Sequence, residues 1–341
     1  MQERIADRQA EGMRLDKFLR KVLPGAPDSF LYRMLRKKNI VVNETRAEGS
    51  LLLHEGDRIR LYLSDETIEQ FRAGKEELQR GEAILQEAQA AYRTLRGLRV
   101  IEQTGDVLFL HKPAGILSQK ADQKEPSANE WLIGYLLQAG RVSAESLSDF
   151  KPSVCNRLDR GTDGILIAAG TRQGAREMTR LIRERSIRKF YQMIVLGRIT
   201  KAGEARSLLE KNHEQNRTRV LQADKSKDAN AVTLYRPIRS FMDPTGREAT
   251  LVEAELVTGR PHQLRAQFAD MGHPIAGDAK YGNAGWNSAL KKACGIHTQV
   301  LSCIRVEFPA FPEDSSRTLQ ELNERIICLQ PPACFDRMQK E

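Results

Sequence analysis

The sequence predicts an α+β protein with two or more domains, and three observations lead to this prediction. From about residue 99 onward, apolar strand-like runs such as GILIAAG (164–170) alternate with helical stretches such as REMTRLIRER (176–185). Nearer the N-terminus, residues 13–63 have helical spacing first and strand-like spacing afterwards. The chain of 341 residues exceeds the roughly 100–200 residues of one domain, and its 40% of hydrophobic residues can bury a sizeable core.

Residues 13–63 are expected to form a compact unit of two short helices followed by strands. Leu15, Phe18 and Leu19 recur at helical spacing, and the Pro-Gly pair at 24–25 separates this helix from the next one. Strands are expected at 40–42, 51–53 and 58–63.

The rest of the chain divides into a linker and a large domain. Residues 64–97 are charged and lack proline, which predicts a long, mostly exposed helix that acts as a spacer. Residues 98–330 carry the alternating pattern and are expected to form one α+β domain. The polar stretch 202–229 predicts an exposed loop or hairpin, and residues 331–341 predict a frayed tail.

The charge balance favours a polyanionic partner. The chain has 54 Lys and Arg residues against 45 Asp and Glu residues, a net charge of +9, and such cations gain affinity by neutralising phosphates. Arg33, Arg36 and Lys37 share one helix face by their spacing, and Lys38 follows them. This face could track the phosphates of RNA without reading its bases. The alternative is a solvated basic surface, which charged helix faces usually are.

We expect a soluble, cytoplasmic protein that acts as a monomer. Its five cysteines are odd in number and scattered, with no Cys-x-x-Cys pair, which argues against a disulfide framework and a zinc ribbon. The N-terminal segment MQERIADRQAEG lacks the apolar core of a secretory signal. No run approaches the ~18 apolar residues that span a bilayer.

A carboxylate in the large domain is the first candidate catalytic group. Asp159 lies between Arg157 and Arg160, directly before an apolar strand-like run. A carboxylate held rigidly at such a place can act as a nucleophile or as a base. Taken alone, the pattern more often marks a structural ion pair at a turn.

Two further clusters lie in the large domain, and the first of them could contact a nucleic acid. Lys189 and Tyr191 alternate along a strand-like run and therefore share one face, where Tyr191 could stack on a base and Lys189 could approach a phosphate. An ordinary half-buried strand aromatic is the alternative. The segment TGRPHQLR predicts a helix that carries His262 and Arg265 on one side.

No metal site is expected. His262, His273 and His297 are accompanied by Arg, Gln and Pro rather than by carboxylates or thiolates at ligand spacing. A hydrolase or nuclease that uses Asp159 and Asp163 with a metal is a competing hypothesis, and dependence on divalent ions would identify it.

Together, and in this order, these clusters resemble the RluA-type family of pseudouridine synthases. The resemblance is carried by the segments NRLDRGTDG, RKFYQMIV, TGRPHQLR and GHPIAGDAKYG, with DVLFLHKPAG upstream and GIHT near the end. Residues 13–63 are similar to the S-four RNA-binding domain through RLDKFL, RMLRKKNIVVN and LHEGDRI. The resemblance implies a catalytic domain with a mixed, largely antiparallel central sheet, preceded by a small α/β RNA-binding domain and a helical linker.

The resemblance also implies roles for individual residues. Asp159 corresponds to the catalytic aspartate, Tyr191 to the tyrosine that packs on the target base, and Arg265 to the arginine that pairs with the carboxylate. The other residues implied to bind substrate or RNA are Arg157, Arg160, Thr162, Lys189, Ile296, Arg33, Arg36, Lys37 and Lys38. No metal and no organic cofactor is implied.

The implied activity is the isomerisation of specific uridines in structured RNA. The S-four resemblance favours ribosomal RNA, and transfer RNA is an alternative substrate. The chain departs from the family pattern at Asn156, where histidine is usual, and at Gly161-Thr162-Asp163-Gly164, where D-T-S-G is usual. An RNA-binding ribosome-assembly factor that has lost catalysis is the alternative function, and the joint presence of Asp159, Tyr191 and Arg265 argues against it.

Overall fold

A computed structural model describes residues 2–71, 75–121, 125–212, 217–221 and 229–339. The chain forms two compact units. The first comprises Met1–Thr94, Glu130–Ser153 and Ala169–Arg176, and the second comprises Leu95–Asn129, Val154–Ala168 and Glu177–Glu341.

The first unit begins with a small antiparallel sheet covered by helices. Its strands are β1 (Gln2–Ile5), β2 (Ile40–Val42), β3 (Thr45–Arg46) and β4 (Arg58–Leu61), in the order β1-β4-β2-β3, and its first helices are α1 (Leu15–Val22) and α2 (Asp28–Arg36). The two predicted helices and the strands at 40–42 and near 58–63 are therefore confirmed.

The strand expected at 51–53 is wrong. Leu51 and Leu52 are 40% and 54% exposed, and only Leu53 enters the core. The backbone here bonds to the start of α1 and to the segment before it: Leu15 N–H donates to the Leu51 carbonyl, and Leu53 N–H donates to the Met13 carbonyl. An apolar triplet does not by itself specify a strand, because two of these leucines face solvent.

The segment predicted as an exposed helical spacer forms two helices, and the second of them is packed. These are α3 (Asp65–Phe71) and α4 (Lys75–Thr94), followed later in the same unit by α5 (Ala128–Gln138) and α6 (Ala144–Asp149). Ala88 and Ala91 of α4 are buried. A Cβ atom on Gly134 of α5 would lie 2.3 Å from the Ala88 carbonyl oxygen, so this glycine permits a close helix crossing.

The second unit is built on an 11-stranded sheet. Its strands are β5 (Arg99–Thr104), β6 (Val107–Lys112), β7 (Ser153–Val154), β8 (Asp163–Ala169), β9 (Arg188–Leu196), β10 (Gly203–Asn212), β11 (Arg217–Leu221), β12 (Ala231–Met242), β13 (Glu248–Leu256), β14 (Leu301–Glu307) and β15 (Ile326–Cys328). The main path runs β11-β10-β12-β13-β9-β14-β8-β6-β5. The β14–β8 pair is parallel, whereas β9 pairs antiparallel with both β13 and β14. The predicted α+β class with a mixed, largely antiparallel sheet is confirmed.

The remaining helices are α7 (Arg172–Arg183), α8 (Gln263–Asp270), α9 (Ala284–Cys294), α10 (Arg317–Gln320) and α11 (Cys334–Gln339). The predicted frayed tail is wrong, because α11 buries Phe335 and Met338 in a core cluster that also contains Trp286 and Leu290. The polar stretch 202–229 contains the antiparallel β10–β11 pair, and residues 213–216 and 222–228 of that stretch lie outside the described residues. Within the described residues, no helix has the length and apolar character needed to cross a membrane.

Candidate active site

A pocket in the second unit brings the predicted catalytic residues together. Asp159 lies in the turn before β8, Tyr191 lies on β9, and Arg265 lies in α8. The pocket is lined by Arg157, Leu158, Asp159, Thr162, Tyr191, Leu256, Arg260, His262, Gln263, Leu264, Arg265 and Leu301. Three sequence segments that are remote from one another thus converge on one cavity.

The turn that carries Asp159 is fixed by the backbone and by a buried lysine. The Thr162 N–H donates to the Asp159 carbonyl at 3.0 Å, and the Gly115 N–H donates to the Arg160 carbonyl at 2.7 Å. The Lys112 ammonium is fully buried and donates to the carbonyls of Pro113, Ile116 and Arg160. Burial lowers the pKa of Lys112 to about 8. Lys112 therefore ties the loop after β6 to the turn that presents Asp159.

Arg265 connects Asp159 to a second, buried carboxylate. Its Nη1 atom donates to Oδ2 of Asp159 at 2.8 Å, and its Nε and Nη2 atoms donate to the two oxygens of Asp278 at 2.7 and 2.9 Å. The Arg265 side chain is 7% exposed and that of Asp278 is 0% exposed. The forked pairing with Asp278 fixes the plane of the guanidinium group. Arg265 can therefore present its remaining donor to Asp159 in one orientation.

Asp278 is stabilised in its charged form by several donors. Its Oδ1 atom also accepts hydrogen bonds from the N–H groups of Lys280 and Tyr281. Burial raises the pKa of Asp278, but the hydrogen bonds and charge of Arg265 and these backbone donors outweigh burial, so the pKa is lowered overall. Asp278 is thus a fixed anion beneath Arg265.

His262 lies immediately before α8 and faces the same carboxylate. Its backbone adopts a left-handed conformation with φ of 54°. Its Nε2 atom lies 3.9 Å from Oδ2 of Asp159, and its Nδ1 atom lies 2.8 Å from the Tyr281 hydroxyl. Burial lowers the pKa of His262, and Asp159 opposes that effect only in part. The imidazole is therefore biased towards its neutral form.

Tyr191 forms an apolar wall of the pocket with a buried hydroxyl. The residue is 5% exposed, and its register partner on β14 is Cys303. Burial raises the pKa of Tyr191 well above its usual value, and a hydrogen bond with the Cys303 thiol adds to this effect. The phenol is accordingly neutral in the neutral pH range.

Thr162 is held at the pocket by Gln299, a buried residue just before β14. The Gln299 Nε2 atom donates to the Thr162 hydroxyl at 2.8 Å. A Cβ atom on Gly161 would lie 2.7 Å from Oε1 of Gln299. The glycine that replaces the usual family residue therefore leaves space for the Gln299 side chain.

Asn156, the other departure, has a structural partner. Its Oδ1 atom accepts a hydrogen bond from the Ile167 N–H of β8 at 2.8 Å. The side chain thus joins the segment before Asp159 to the strand after it.

The competing metal-dependent hypothesis pairs Asp159 with Asp163, but the two side chains have different surroundings. Asp163 is buried, with one oxygen 3.0 Å from His111 Nε2 and the other accepting from Ser302 Oγ at 2.9 Å. Asp163 does not line the pocket that contains Asp159. Within the described residues, no group of three or more His, Cys, Asp or Glu side chains is placed to hold a metal ion.

Three other predicted site residues, Arg157, Arg160 and Lys189, have different surroundings. Arg157 lines the pocket and is exposed. The Arg160 guanidinium contacts Glu125 and the Gly115 carbonyl instead of the pocket. Lys189 is half-buried on the same strand face as Tyr191, and burial lowers its pKa.

Ile296 does not line the pocket. The residue is 3% exposed and packs in the core cluster around Trp286 and Leu290. A Cβ atom on Gly277 would lie 2.7 Å from the Ile296 side chain, which shows how closely the surrounding backbone approaches it. The leucines that line the pocket instead are Leu158, Leu256, Leu264 and Leu301.

The basic residues of the first unit fall into two groups. Arg33, Arg36, Lys37 and Lys38 are exposed and, in the described part of the chain, form no ion pair. By contrast, Arg14 pairs with Asp16, Arg20 with Asp28, and Lys21 with Asp149. The exposed and unpaired group is the one that sequence analysis predicted to contact RNA.

Several site residues were not predicted from the sequence. Asp278 and Tyr281 belong to the segment GHPIAGDAKYG, which resembles a family motif but predicted no role for either residue. His262 was expected on the same helix side as Arg265, and no role in the site was predicted for it. The motif that contains Asp278 and Tyr281 was visible in the sequence, but their partners were not. Asp278 pairs with Arg265, 13 residues away, and Tyr281 bonds to Thr218, 63 residues away. Such contacts become visible only in the folded chain.

Comparisons with known proteins give a consistent picture. The family model of RNA pseudouridylate synthases matches residues 106–270. The ribosomal large subunit pseudouridine synthase C of Vibrio cholerae is 30% identical over 310 residues, which cover 89% of this chain and 87% of that protein. The protein of the same name from Vibrio vulnificus is 30% identical over 326 residues, covering 94% of each chain. Human RNA pseudouridylate synthase domain containing 4 is similar in fold, with a TM-score of 0.54 at 21% identity over 74% of this chain and 95% of that one.

Proposed function

The chain belongs to the RNA pseudouridylate synthase family, and from that premise we propose that it converts specific uridines of ribosomal RNA to pseudouridine with Asp159 as the catalytic carboxylate. The enzyme is an isomerase that acts on RNA. Ribosomal RNA is proposed as its substrate because the relatives are named as ribosomal large subunit synthases. Transfer RNA is the alternative substrate.

The arrangement around Asp159 carries the proposal. Arg265 occupies Oδ2 at 2.8 Å, whereas Oδ1 has no hydrogen-bond partner among the described residues. The carboxylate side chain is 26% exposed in a pocket that also contains Tyr191. One oxygen is therefore held by the protein while the other is free to meet a nucleoside.

The reaction requires a uridine that has left its helical stack. Flipping the nucleotide costs a few kcal/mol, which contacts to neighbouring phosphates can offset. In the pocket, the bond between N1 and C1′ breaks, the uracil turns, C5 bonds to C1′, and the C5 proton is lost while N1 gains a proton. Asp159 either adds to the substrate or assists departure of the base through the sugar. Both routes use the open Oδ1 atom.

Tyr191 and the basic residues would serve different stages of this reaction. Tyr191 would hold the uracil against its ring while the C5 proton is lost. Arg157, which is exposed at the pocket, would contact the RNA backbone beside the flipped nucleotide. The family resemblance implies no metal or organic cofactor for this reaction.

Residues 13–63 would act as the RNA-binding domain of this enzyme. Residues 64–97 would form its helical linker, and residues 98–330 its catalytic domain. The exposed cations at 33 and 36–38 support this role, since they have no ion pair among the described residues that would have to be broken before they meet a phosphate. We expect the protein to work in the cytoplasm as a monomer.

Pseudouridine maps of total RNA would test the proposal. The strains compared would carry the wild-type protein, no protein, Asp159→Asn, or Asp336→Asn as a control on an exposed carboxylate of α11. Sites lost both without the protein and with Asp159→Asn, but retained in the control, would establish the substrate and the carboxylate. Sites lost only without the protein would refute the role of Asp159. Retention of every site would instead favour an RNA-binding assembly factor.

A further inference from the structure

Two donors from the start of α8 face the same oxygen atom of Asp159. Arg265 Nη1 lies 2.8 Å from Oδ2, and His262 Nε2 lies 3.9 Å from it. The longer distance exceeds that of a hydrogen bond. Hydrogen bonds of a catalytic site are often long before substrate binds and shorten in the substrate complex. His262 is therefore placed to become a second donor to the oxygen that Arg265 already holds.

A chain of hydrogen bonds favours the tautomer of His262 that carries its proton on Nε2. The Thr218 backbone N–H can only donate, and it lies 2.6 Å from the Tyr281 hydroxyl oxygen, which must accept. The hydroxyl proton of Tyr281 is then available for His262 Nδ1, 2.8 Å away. A neutral imidazole that accepts at Nδ1 carries its proton on Nε2. That proton points towards Asp159.

Several contacts hold Tyr281 in the position where its hydroxyl meets both Thr218 and His262. The guanidinium carbons of Arg217 and Arg265 both lie 5.1 Å from the centre of its ring. Its own N–H donates to Asp278 at 3.1 Å. The ring therefore cannot move without disturbing the arginine that bonds to Asp159.

The backbone of His262 gives an independent indication. Its φ of 54° is a left-handed conformation, which a residue with a Cβ atom adopts at an energetic cost. Thr218 Oγ1 donates to the neighbouring Pro261 carbonyl at 2.9 Å and so helps to hold this turn. Strain of this kind, maintained by its surroundings, is common where a side chain must be aimed at a functional group.

We propose that His262 is a positioning residue that Tyr281 and Thr218 keep in its Nε2-protonated neutral form, so that it donates to Oδ2 of Asp159 when the target uridine fills the pocket. Together, His262 and Arg265 would restrict Oδ2 and leave Oδ1 to react. This inference rests on the proposed pseudouridine synthase activity of Asp159. It adds to that proposal a role for the β10–β11 hairpin, because Thr218 belongs to β11.

The charges around His262 predict how activity depends on pH. Asp159 and Asp278 favour the protonated imidazole, whereas Arg265, Lys280 and burial disfavour it, with burial the largest influence. Protonation at low pH would place a hydrogen on Nδ1, where the Tyr281 proton now points. We therefore expect activity to decrease at acidic pH, because Tyr281 can then no longer donate a hydrogen bond to His262 Nδ1.

The first test reads the tautomer without any reaction. The six histidines would be labelled with nitrogen-15, and the His262→Gln variant would identify the signals of His262. The NMR spectrum should show His262 protonated at Nε2 and unprotonated at Nδ1. Tyr281→Phe should give a mixture of the two tautomers. Protonation at Nδ1 in the wild-type protein would overturn the proposal whatever the enzymatic activity.

The second test measures turnover on an RNA fragment that contains a mapped target uridine. His262→Phe should lower kcat about 10-fold, the effect of losing one hydrogen bond in a transition state, while KM stays unchanged. His262→Gln should recover most of kcat, because its amide can donate near the Nε2 position, and should flatten the acidic side of the pH profile. The exposed His297→Gln is the control and should match the wild type.

The outcomes separate the two proposals. A wild-type kcat for a folded His262→Phe protein would overturn the role of His262. Full activity of Asp159→Asn would refute the catalytic role of Asp159, on which this inference rests, and the NMR result would still report the tautomer. Equal loss in His262→Phe and His262→Gln, with an unchanged pH profile, would indicate only a packing role and would overturn the proposal.

Discussion

Arg265 donates a hydrogen bond to Oδ2 of Asp159 at 2.8 Å while its other two donor atoms are engaged by the fully buried carboxylate of Asp278. One guanidinium group thus serves two carboxylates with unequal surroundings, because Asp159 opens into the pocket and Asp278 does not. The orientation of Asp159, the proposed catalytic carboxylate, is consequently set in part by Asp278, with which it forms no hydrogen bond or ion pair in the described part of the chain. This relationship leads to the first predictions.

Asp278→Asn should destabilise the protein and lower kcat. The substitution removes one partner of a buried ion pair, which typically costs about 3 kcal/mol because a buried charge loses its compensation. It also loosens Arg265 and hence Asp159. The free energy of unfolding, measured by urea denaturation, and single-turnover rates would test both effects. The exposed Asp336→Asn should stay within about 0.5 kcal/mol of the wild type, and an equal loss in both variants would contradict the prediction.

The stability difference between wild type and Asp278→Asn should depend on pH. The pKa of Asp278 is lower in the folded protein than its ordinary value, because Arg265 and the backbone donors outweigh burial. The unfolded chain therefore takes up a proton first, near pH 4. The stabilisation is present above that pH and is lost as the pH falls through the folded pKa. The difference in unfolding free energy should thus shrink in acid, and a constant difference from pH 7 to pH 3 would contradict this assignment.

Arg265→Lys should keep the positive charge but lose most of the activity. A lysine ammonium cannot make the forked contact with Asp278 and also reach Asp159, because it lacks the planar set of donors. We expect kcat to decrease by about 10- to 100-fold, the effect of losing a hydrogen bond to a charged group. RNA affinity should be unchanged, since the side chain is only 7% exposed. Single-turnover kinetics combined with a filter-binding assay would separate these two quantities.

Gly161→Asp, which restores the residue usual in the family, should impair this enzyme. A Cβ atom at this position would lie 2.7 Å from Oε1 of Gln299, so Gln299 would have to move away from Thr162. Thr162 lines the pocket, and we expect a decrease in turnover of about 10-fold if its hydrogen bond is lost. Gln299→Ala alone, which removes the same hydrogen bond, should cause a similar decrease, and adding Gly161→Asp to it should lower turnover little further. A wild-type rate for the single variant would contradict the steric argument.

The sequence predicted the residues that share a motif and missed the contacts that join motifs. Asp159, Tyr191 and Arg265 could be named because each lies in a recognisable segment, and the fold brings them to one pocket. The hydrogen bonds of the Tyr281 hydroxyl could not be predicted. Its partner Thr218 lies on β11, 63 residues earlier in the chain. The sequence also could not show which apolar residues line the pocket. Ile296 was expected there but packs in the core, because the same residue type suits both places.

The same limit explains the errors in secondary structure. The α11 helix has only 6 residues, too few to be stable alone, and it is stabilised by burying Phe335 and Met338 against a core formed by distant residues. At 51–53, local apolar character predicted a strand where backbone bonds to the segment before α1 hold the chain instead. In both places, contacts remote in sequence decided the local structure.

Replacing Arg33, Arg36 and Lys37 with glutamine should weaken RNA binding without changing the chemical step. These side chains are exposed and have no ion pair in the described residues, so their loss should remove phosphate contacts and little folding energy. If all three meet phosphates, the slope of log K against log salt should become shallower by about 2 to 3. The matched control is Arg20→Gln, because Arg20 is already paired with Asp28 at 2.7 Å. Equal salt slopes for the triple variant and the wild type would exclude this face as an RNA-binding surface, whereas a lower kcat at saturating RNA would mean that it also positions the target nucleotide.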